Sequence, residues 1–211
     1  MTKIGVVLGT GPSLNDSAAT IRKLKGAITL FGVNRTFEDF DLDVLICCDP
    51  KFHAFYGKIK GDFDHWHWDK EICLRYGYLY IEGRWFDGLS TDPTWISLNH
   101  CSSAQALNLA VHYGCDEILL VGHDFHYPPG KPRHYFDNLS DVRGEYPAEI
   151  RKFSLFDKKG QGNDLLNVYK HIADQCKRGE IPQIYNCTPG SALPWFPLKE
   201  LSEFFRPEDI Q

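Results

Sequence analysis

The sequence predicts an α/β fold: a Rossmann-like, doubly wound, mostly parallel sheet with a long lid loop. Three observations predict it. Strand-like and helix-like segments alternate along the chain, as they do when helices cover both faces of a parallel sheet. An apolar run from Ile4 to Leu8 stops abruptly in Gly9-Thr10-Gly11-Pro12-Ser13. A second run, Glu117–Val121, stops in Gly122-His123-Asp124-Phe125. Buried strands that end in glycine mark the mouth of such a sheet, where backbone approaches a ligand closely.

Each element has its own reason. Residues 4–8 form the first strand, and the turn after it leads into a helix whose free N–H groups are expected to face an anion. Pro12 and the missing third glycine separate the turn from the dinucleotide fingerprint. Residues 27–33 read as the second strand, ending at Asn34-Arg35. Residues 44–48 read as the third, ending at Asp49-Pro50. A short helix over 52–59 follows. Residues 72–74 and 79–81 are short strand candidates separated by Gly77.

The run 102–113 is a helix, with Ala106, Leu107, Ala110 and Val111 on one apolar face. Ser102 or Ser103 is the expected cap, and Gly114 the stop. Residues 164–177 are the last helix, and Ile184-Tyr185 a late strand. Residues 125–153 are rich in Pro, Gly and charge without a period, as lids over sites are. The whole chain, 1–211, reads as one domain.

Bulk properties narrow the class. The 211 residues carry a net charge of −5 and a pI near 6.0, so no global basic field attracts nucleic acid. The N-terminal apolar run is too short for a signal peptide, and no stretch reaches the length of a membrane span. Seven cysteines without C-x-x-C spacing read as reduced core residues in a cytoplasmic chain. In Asp64-His65-Trp66-His67-Trp68-Asp69 a strand puts the histidines on one face and the tryptophans on the other. Covering the core is the preferred reading of that patch, and a stacking surface for a ring the alternative. Trp85, Trp95 and Trp195 read as packing residues, with Trp95 also near enough to the 102–113 helix to line a site.

The strand ends carry the chemistry. Gly9, Thr10, Gly11 and Ser13, then Asn34, Asp49, and Gly122-His123-Asp124, all fall at the carboxyl edge of the expected sheet, and Ser102 and Ser103 join them from a helix start. The set offers glycines and amides to a phosphate, amide and hydroxyl groups to a base or sugar, and two acids. His123, Asp124, His126, His134 and Asp137 compose an alternative divalent-metal cluster, although their spacing matches no standard zinc motif.

Read in order, Gly9-x-Gly11-Pro12-Ser13-Leu14, Asn34, Asp49-Pro50, the run 102–114, Ile118-Leu119-Leu120-Val121-Gly122-x-Asp124-Phe125 and Asn186-Cys187-Thr188-Pro189-Gly190-Ser191-Ala192-Leu193 resemble a known superfamily. It holds archaeal 6-hydroxymethylpterin diphosphokinase-like proteins, flagellin-glycosylating motility accessory factors and bacterial CMP-sialic-acid-dependent sialyltransferases. The resemblance runs from Ile4 to about Phe196. It implies a nucleotide-phosphate loop at Gly9, Gly11 and Ser13, with Thr10 where the sialyltransferases place an Asn. It implies donor contacts at Asn34 and Ser102, with Asp49 and Ser103 in place of an Asn and a Gly. His126 and His134 stand where that family holds the leaving phosphate with two tyrosines. Its general-base histidine has no counterpart in residues 153–157.

The expected function is therefore a glycosyltransferase that moves a sugar from a nucleotide-sugar donor to a hydroxyl acceptor, either a glycan or small molecule or a hydroxylated base in DNA. Gly9, Thr10, Gly11, Ser13, Asn34, Ser102 and Ser103 are expected to bind the donor. His126 and His134 are expected to stabilise charge on the leaving phosphate, and Asp49, Asp124 or Asp157 to accept the acceptor proton. Mg²⁺ is compatible with this chemistry without being required by it. Two alternatives stand beside it: an ATP- and Mg²⁺-dependent pyrophosphokinase acting on a hydroxymethylpterin-like compound, and a non-catalytic nucleotide-binding module.

Overall fold

The computed structural model describes residues 2–99, 101–126, 134–136 and 163–205. Most of the expected lid, with Asp137 and Asp157, lies outside them. The described elements are β1 (Ile4–Leu8), α1 (Leu14–Lys23), β2 (Thr29–Val33), β3 (Val44–Ile46), α2 (Pro50–Tyr56), β4 (Asp64–His67), α3 (Lys70–Tyr76), β5 (Leu79–Tyr80), β6 (Glu82–Arg84), β7 (Trp95–Ser97), α4 (Ser102–His112), β8 (Glu117–Val121), α5 (Asn163–Lys177) and β9 (Gln183–Asn186). A 3₁₀ turn, Asn34–Glu38, follows β2 directly.

Seven strands form one sheet in the order β5-β4-β3-β2-β1-β8-β9, and every pairing is parallel. The chain winds outward from β1 to β5 on one side and through β8 to β9 on the other. The winding reverses between β1 and β8, so that crevice is the switch point at which α/β sheets take their ligands. The longest register in the sheet lies there, from Ile4 opposite Glu117 to Leu8 opposite Val121.

Alternation along the strands builds two cores. Val7, Phe31, Val33, Val44, Ile46, Ile118, Leu120 and Ile184 face α4 and α5. Val6, Leu8, Leu30, Leu45, Leu119 and Val121 face α1 and α2. Burial on both faces explains why β1 and β8 read as continuous apolar runs. Among the described residues no helix is long and apolar enough to cross a membrane. All seven cysteines are free thiols.

Three expectations are corrected. Residues 72–74 are helical, inside α3. Asp69 caps that helix by accepting from the N–H groups of Glu71 and Ile72, and Gly77 closes it at φ 74°. Neither Ser102 nor Ser103 caps α4; Cys101 occupies the cap position without a side-chain capping bond, and both hydroxyls are engaged elsewhere. Trp85 is exposed and not a core residue. Trp95 packs as expected: it lies on β7, in the separate two-stranded sheet with β6, against Phe86 and the Arg84 guanidinium. The 64–69 patch covers the core as expected: His65 and His67 are buried, and Trp66 packs against the α4 side.

Candidate functional site

The glycine loop after β1 is shaped by its neighbour β8. A Cβ on Gly9 would sit 2.3 Å from the Gly122 carbonyl oxygen, and one on Gly11 1.8 Å from Asp124 Oδ2. Glycine is thus required by close backbone approach within the fold. The N–H groups of Gly9, Gly11 and Ser13 are also spent there. Gly9 N–H donates to Val121 O at 2.7 Å and Gly11 N–H to Gly122 O at 2.9 Å. Ser13 donates its N–H to Asp124 Oδ1 at 3.2 Å and its hydroxyl to Oδ2 at 2.8 Å.

The expectation of free N–H groups aimed at an anion is corrected by these bonds. The carboxylate of Asp124 occupies the place at the start of α1 that a phosphate takes in phosphate-binding loops. Burial raises the Asp124 carboxyl above its usual range, and the two bonds from Ser13 oppose that shift.

Thr10 and His134 meet over this loop. Thr10 Oγ1 lies 3.1 Å from His134 Nδ1, and Tyr135 N–H donates to Thr10 O at 2.9 Å. Asn15 Nδ2 donates to Tyr135 O. The Tyr135 hydroxyl lies 3.1 Å from both Arg35 O and Asp39 Oδ2. His134 stacks on Phe136, which also meets the Tyr135 ring edge-on and lies 4.5 Å from the Arg35 guanidinium. Residues 134–136 are therefore fastened across the ends of β1 and β2. His126 is exposed.

A second group lies at the ends of β2 and β3. Asn34 adopts φ 49°, a left-handed conformation that Asn visits more readily than most residues and that marks functional positions. Ser102 Oγ accepts the Cys48 N–H at 3.1 Å and points its hydrogen at Cys48 Sγ, 2.9 Å away, with Asn34 Oδ1 at 3.5 Å. Burial pushes the Cys48 thiol up to about 11, so it is a neutral partner and not a thiolate. Asp49 caps α2, accepting the Lys51 N–H at 2.8 Å.

Ser103 belongs to a third, buried group. Its hydroxyl bonds His123 Nε2 and lies 2.7 Å from the Tyr169 hydroxyl. His123 Nδ1 lies 3.2 Å from Val121 O, and a carbonyl can only accept. Nδ1 therefore carries the hydrogen and Nε2 accepts from Ser103. Burial pushes His123 down to about 4, which keeps it neutral.

The expected residues thus gather at one edge of the sheet but in three groups. Thr10 with His134, and Asn34 with Ser102, Cys48 and Asp49, are placed at the strand-end rim. Ser13 with Asp124, and Ser103 with His123 and Tyr169, hold the fold behind that rim. Tyr169 and Cys48 were not singled out from the sequence. Cys48 was within reach through its place beside Asp49, whereas nothing in the sequence links Tyr169 to Ser103. Among the described residues no three His, Cys, Asp or Glu side chains are arranged to hold a metal ion.

No family model, no curated protein and no solved structure matches the chain.

Proposed function

We propose that the chain is a transferase that takes a nucleotide-linked sugar as its donor and passes the sugar to a hydroxyl acceptor. The observation that carries the reading is Asn34. A non-glycine residue in the left-handed region stands at the carboxyl end of β2, with its amide beside the Ser102 hydroxyl. Strain of this kind persists where the surroundings over-determine it, as they do at ligand sites. The switch point between β1 and β8, one strand away, and the motif resemblance support the same carboxyl edge of the sheet.

The hydrogen bonds redistribute the roles. Asp124 and the glycine-loop amides are engaged inside the fold, so they shape the floor. Donor recognition falls to Asn34, Ser102 and Thr10. His134, against Thr10, is the group assigned to charge developing on a leaving phosphate. Among the described residues Asp49 is the remaining one of the expected carboxylates for an acceptor or ribose hydroxyl.

Calorimetric titration of the full chain with UDP, CMP, GDP and ATP tests the reading. One of the first three is expected to bind, and Asn34→Ala to weaken it about tenfold, the worth of one good hydrogen bond. Binding of ATP alone, with AMP released in the presence of a hydroxymethylpterin, would replace it with pyrophosphoryl transfer. Nucleotide binding without turnover of any nucleotide sugar would reduce it to a binding module.

A further inference from the structure

Away from the strand-end rim, three histidines are buried together. His53 on α2 is 1% exposed, and His65 and His67 on β4 are 6% and 0% exposed. The ring of His53 lies 5.6 Å from that of His65 and 4.9 Å from that of His67, centroid to centroid. His65 stacks on Tyr78 at 3.6 Å.

Few of their nitrogens are satisfied. His53 Nε2 lies 3.3 Å from Cys47 O, and His67 Nδ1 accepts the Asp69 N–H at 2.9 Å. Both nitrogens of His65, His53 Nδ1 and His67 Nε2 are buried without a hydrogen-bond partner. Buried polar atoms are almost always paired, and each unpaired one costs free energy. Four in one cluster are a concentrated store of that cost.

The surroundings offer little to a charged ring. Cys47 faces the cluster from the end of β3, and Tyr76 and Cys73 from α3. Tyr78 faces it from the turn before β5. Asp49 at the start of α2 and Asp69 at the start of α3 act on it through space. Among the described residues neither carboxylate hydrogen-bonds any of the three rings. Beside His65 a recess of about 450 Å³, lined also by Lys58, Lys60, Asp64 and Tyr78, opens outward. Two of its side chains are cations. The strand beyond, β5, is a two-residue sheet edge with both residues exposed.

We propose that His53, His65 and His67 form an acid-sensitive latch: neutral, they let α2, β4, α3 and β5 close on the sheet, and a proton on one of them opens that edge unit. Burial pushes His65 down to about 3 and His67 down to about 4, and lowers His53, with the neighbouring rings adding to the shift on His65 and His67. An opened ring returns to about 6.5. The closed state is thus fully favoured above about pH 6.5 and loses ground as pH falls toward the closed-state values. The latch reaches the rim, because His53 holds Cys47 O and Asp49 starts the same helix. It stands whether or not the rim binds a nucleotide.

Hydrogen exchange of the full chain at pH 7.5 and pH 5, corrected for intrinsic rates, tests it. Peptides covering 50–80 are expected to lose protection by about tenfold or more, while those of β1, α4 and β8 keep theirs. His65→Phe preserves the stack on Tyr78 and removes one of the three titrating rings, so its 50–80 peptides are expected to lose clearly less protection at pH 5 than those of the unmodified protein. Equal losses in both regions, or the same acid loss in His65→Phe, would overturn the latch. Should that variant fail to fold, ¹⁵N-imidazole titration of the unmodified protein decides. Rings that stay neutral in the closed state at pH 5.5 support it, and three rings titrating near 6.5 refute it.

Discussion

At the carboxyl end of β8, His123 is buried with both ring nitrogens in hydrogen bonds. On β4, two-thirds of the way across the same sheet, His65 is buried with neither. Burial is the main cause that pushes both rings far below an ordinary imidazole, to about 4 and about 3, with His53 and His67 adding to the shift on His65. The two regions therefore hold histidine in the same neutral state by the same cause and differ in what the ring does there. Around β1 and β8 every loop amide described above has an acceptor, supplied by Val121, Gly122 and Asp124. Around β4 the polar atoms have been taken from water and given little in return. One region is knitted for rigidity. The other keeps a reserve of unfavourable free energy that a proton can release.

The sharpest way to break this contrast is at glycine. In Gly9→Ala the new methyl meets the Gly122 carbonyl oxygen at 2.3 Å, with both backbones fixed in the sheet. Stability is expected to fall by about 3 kcal/mol, at the upper end of overpacking costs. Gly77→Ala, at the edge, meets only the tip of Lys58 at 3.5 Å, and its cost is the φ of +74°, about 1 kcal/mol. Urea unfolding of the two variants at neutral pH checks the ranking. Equal losses would mean the centre is no more tightly fitted than the edge.

The histidines give the next largest difference. His123→Phe removes one of two partners from the Ser103 hydroxyl, which keeps Tyr169, and one from the Val121 carbonyl, which keeps the Gly9 N–H; the two lost hydrogen bonds are expected to cost about 1–2 kcal/mol. His65→Phe strands nothing and removes two orphaned nitrogens, so at pH 7.5 it is expected to be neutral or stabilising. The pH slopes follow from sign. A folded-state value below the unfolded one means that the unfolded chain binds the proton first, so stability is present above about pH 6.5 and declines below it. Each substitution removes one such contribution and flattens the decline. Urea midpoints at pH 7.5 and 5 measure both effects. A large loss for His65→Phe at pH 7.5 would show that its ring has partners in solution.

What the sequence disclosed follows the same division. β1 and β8 were legible because burial on both faces makes a strand continuously apolar, and because each ends where Gly9 or Gly122 must admit the other backbone. α3 was not. Seven residues hold barely two turns, so Ile72-Cys73-Leu74 shows no helical period, and the deciding groups are the Asp69 cap and Gly77 at its end. β6 is Glu-Gly-Arg, with no apolar pattern to betray a strand. The strand-end rim could be read because strands stop at Asn34, Asp49 and Gly122. That the loop amides were already taken could not be read, since the partner of Ser13 stands 111 positions away and that of Ser103 at Tyr169 66 positions away. Local pattern reports where a strand ends; it is silent on which distant group fills the end.

The smallest expected effect bears on whether the rim resembles the knitted centre or the strained edge. Asn34 holds φ 49°, and glycine occupies that region without a Cβ penalty. Asn34→Gly relieves the local strain but adds backbone entropy to the unfolded chain. It also removes an amide that lies 3.5 Å from Ser102 Oγ, at the outer limit of a hydrogen bond. The net change is expected to be small, a gain of about 0.5 kcal/mol. The same variant is expected to lose nucleotide affinity as Asn34→Ala does, because both delete the amide. Unfolding and titration on one preparation separate the two consequences. A gain in stability with a loss of binding identifies a side chain kept for a ligand at a cost to the fold. A loss of more than about 1 kcal/mol with binding unchanged places Asn34 with Ser13 and Ser103, among the groups that hold the sheet ends together.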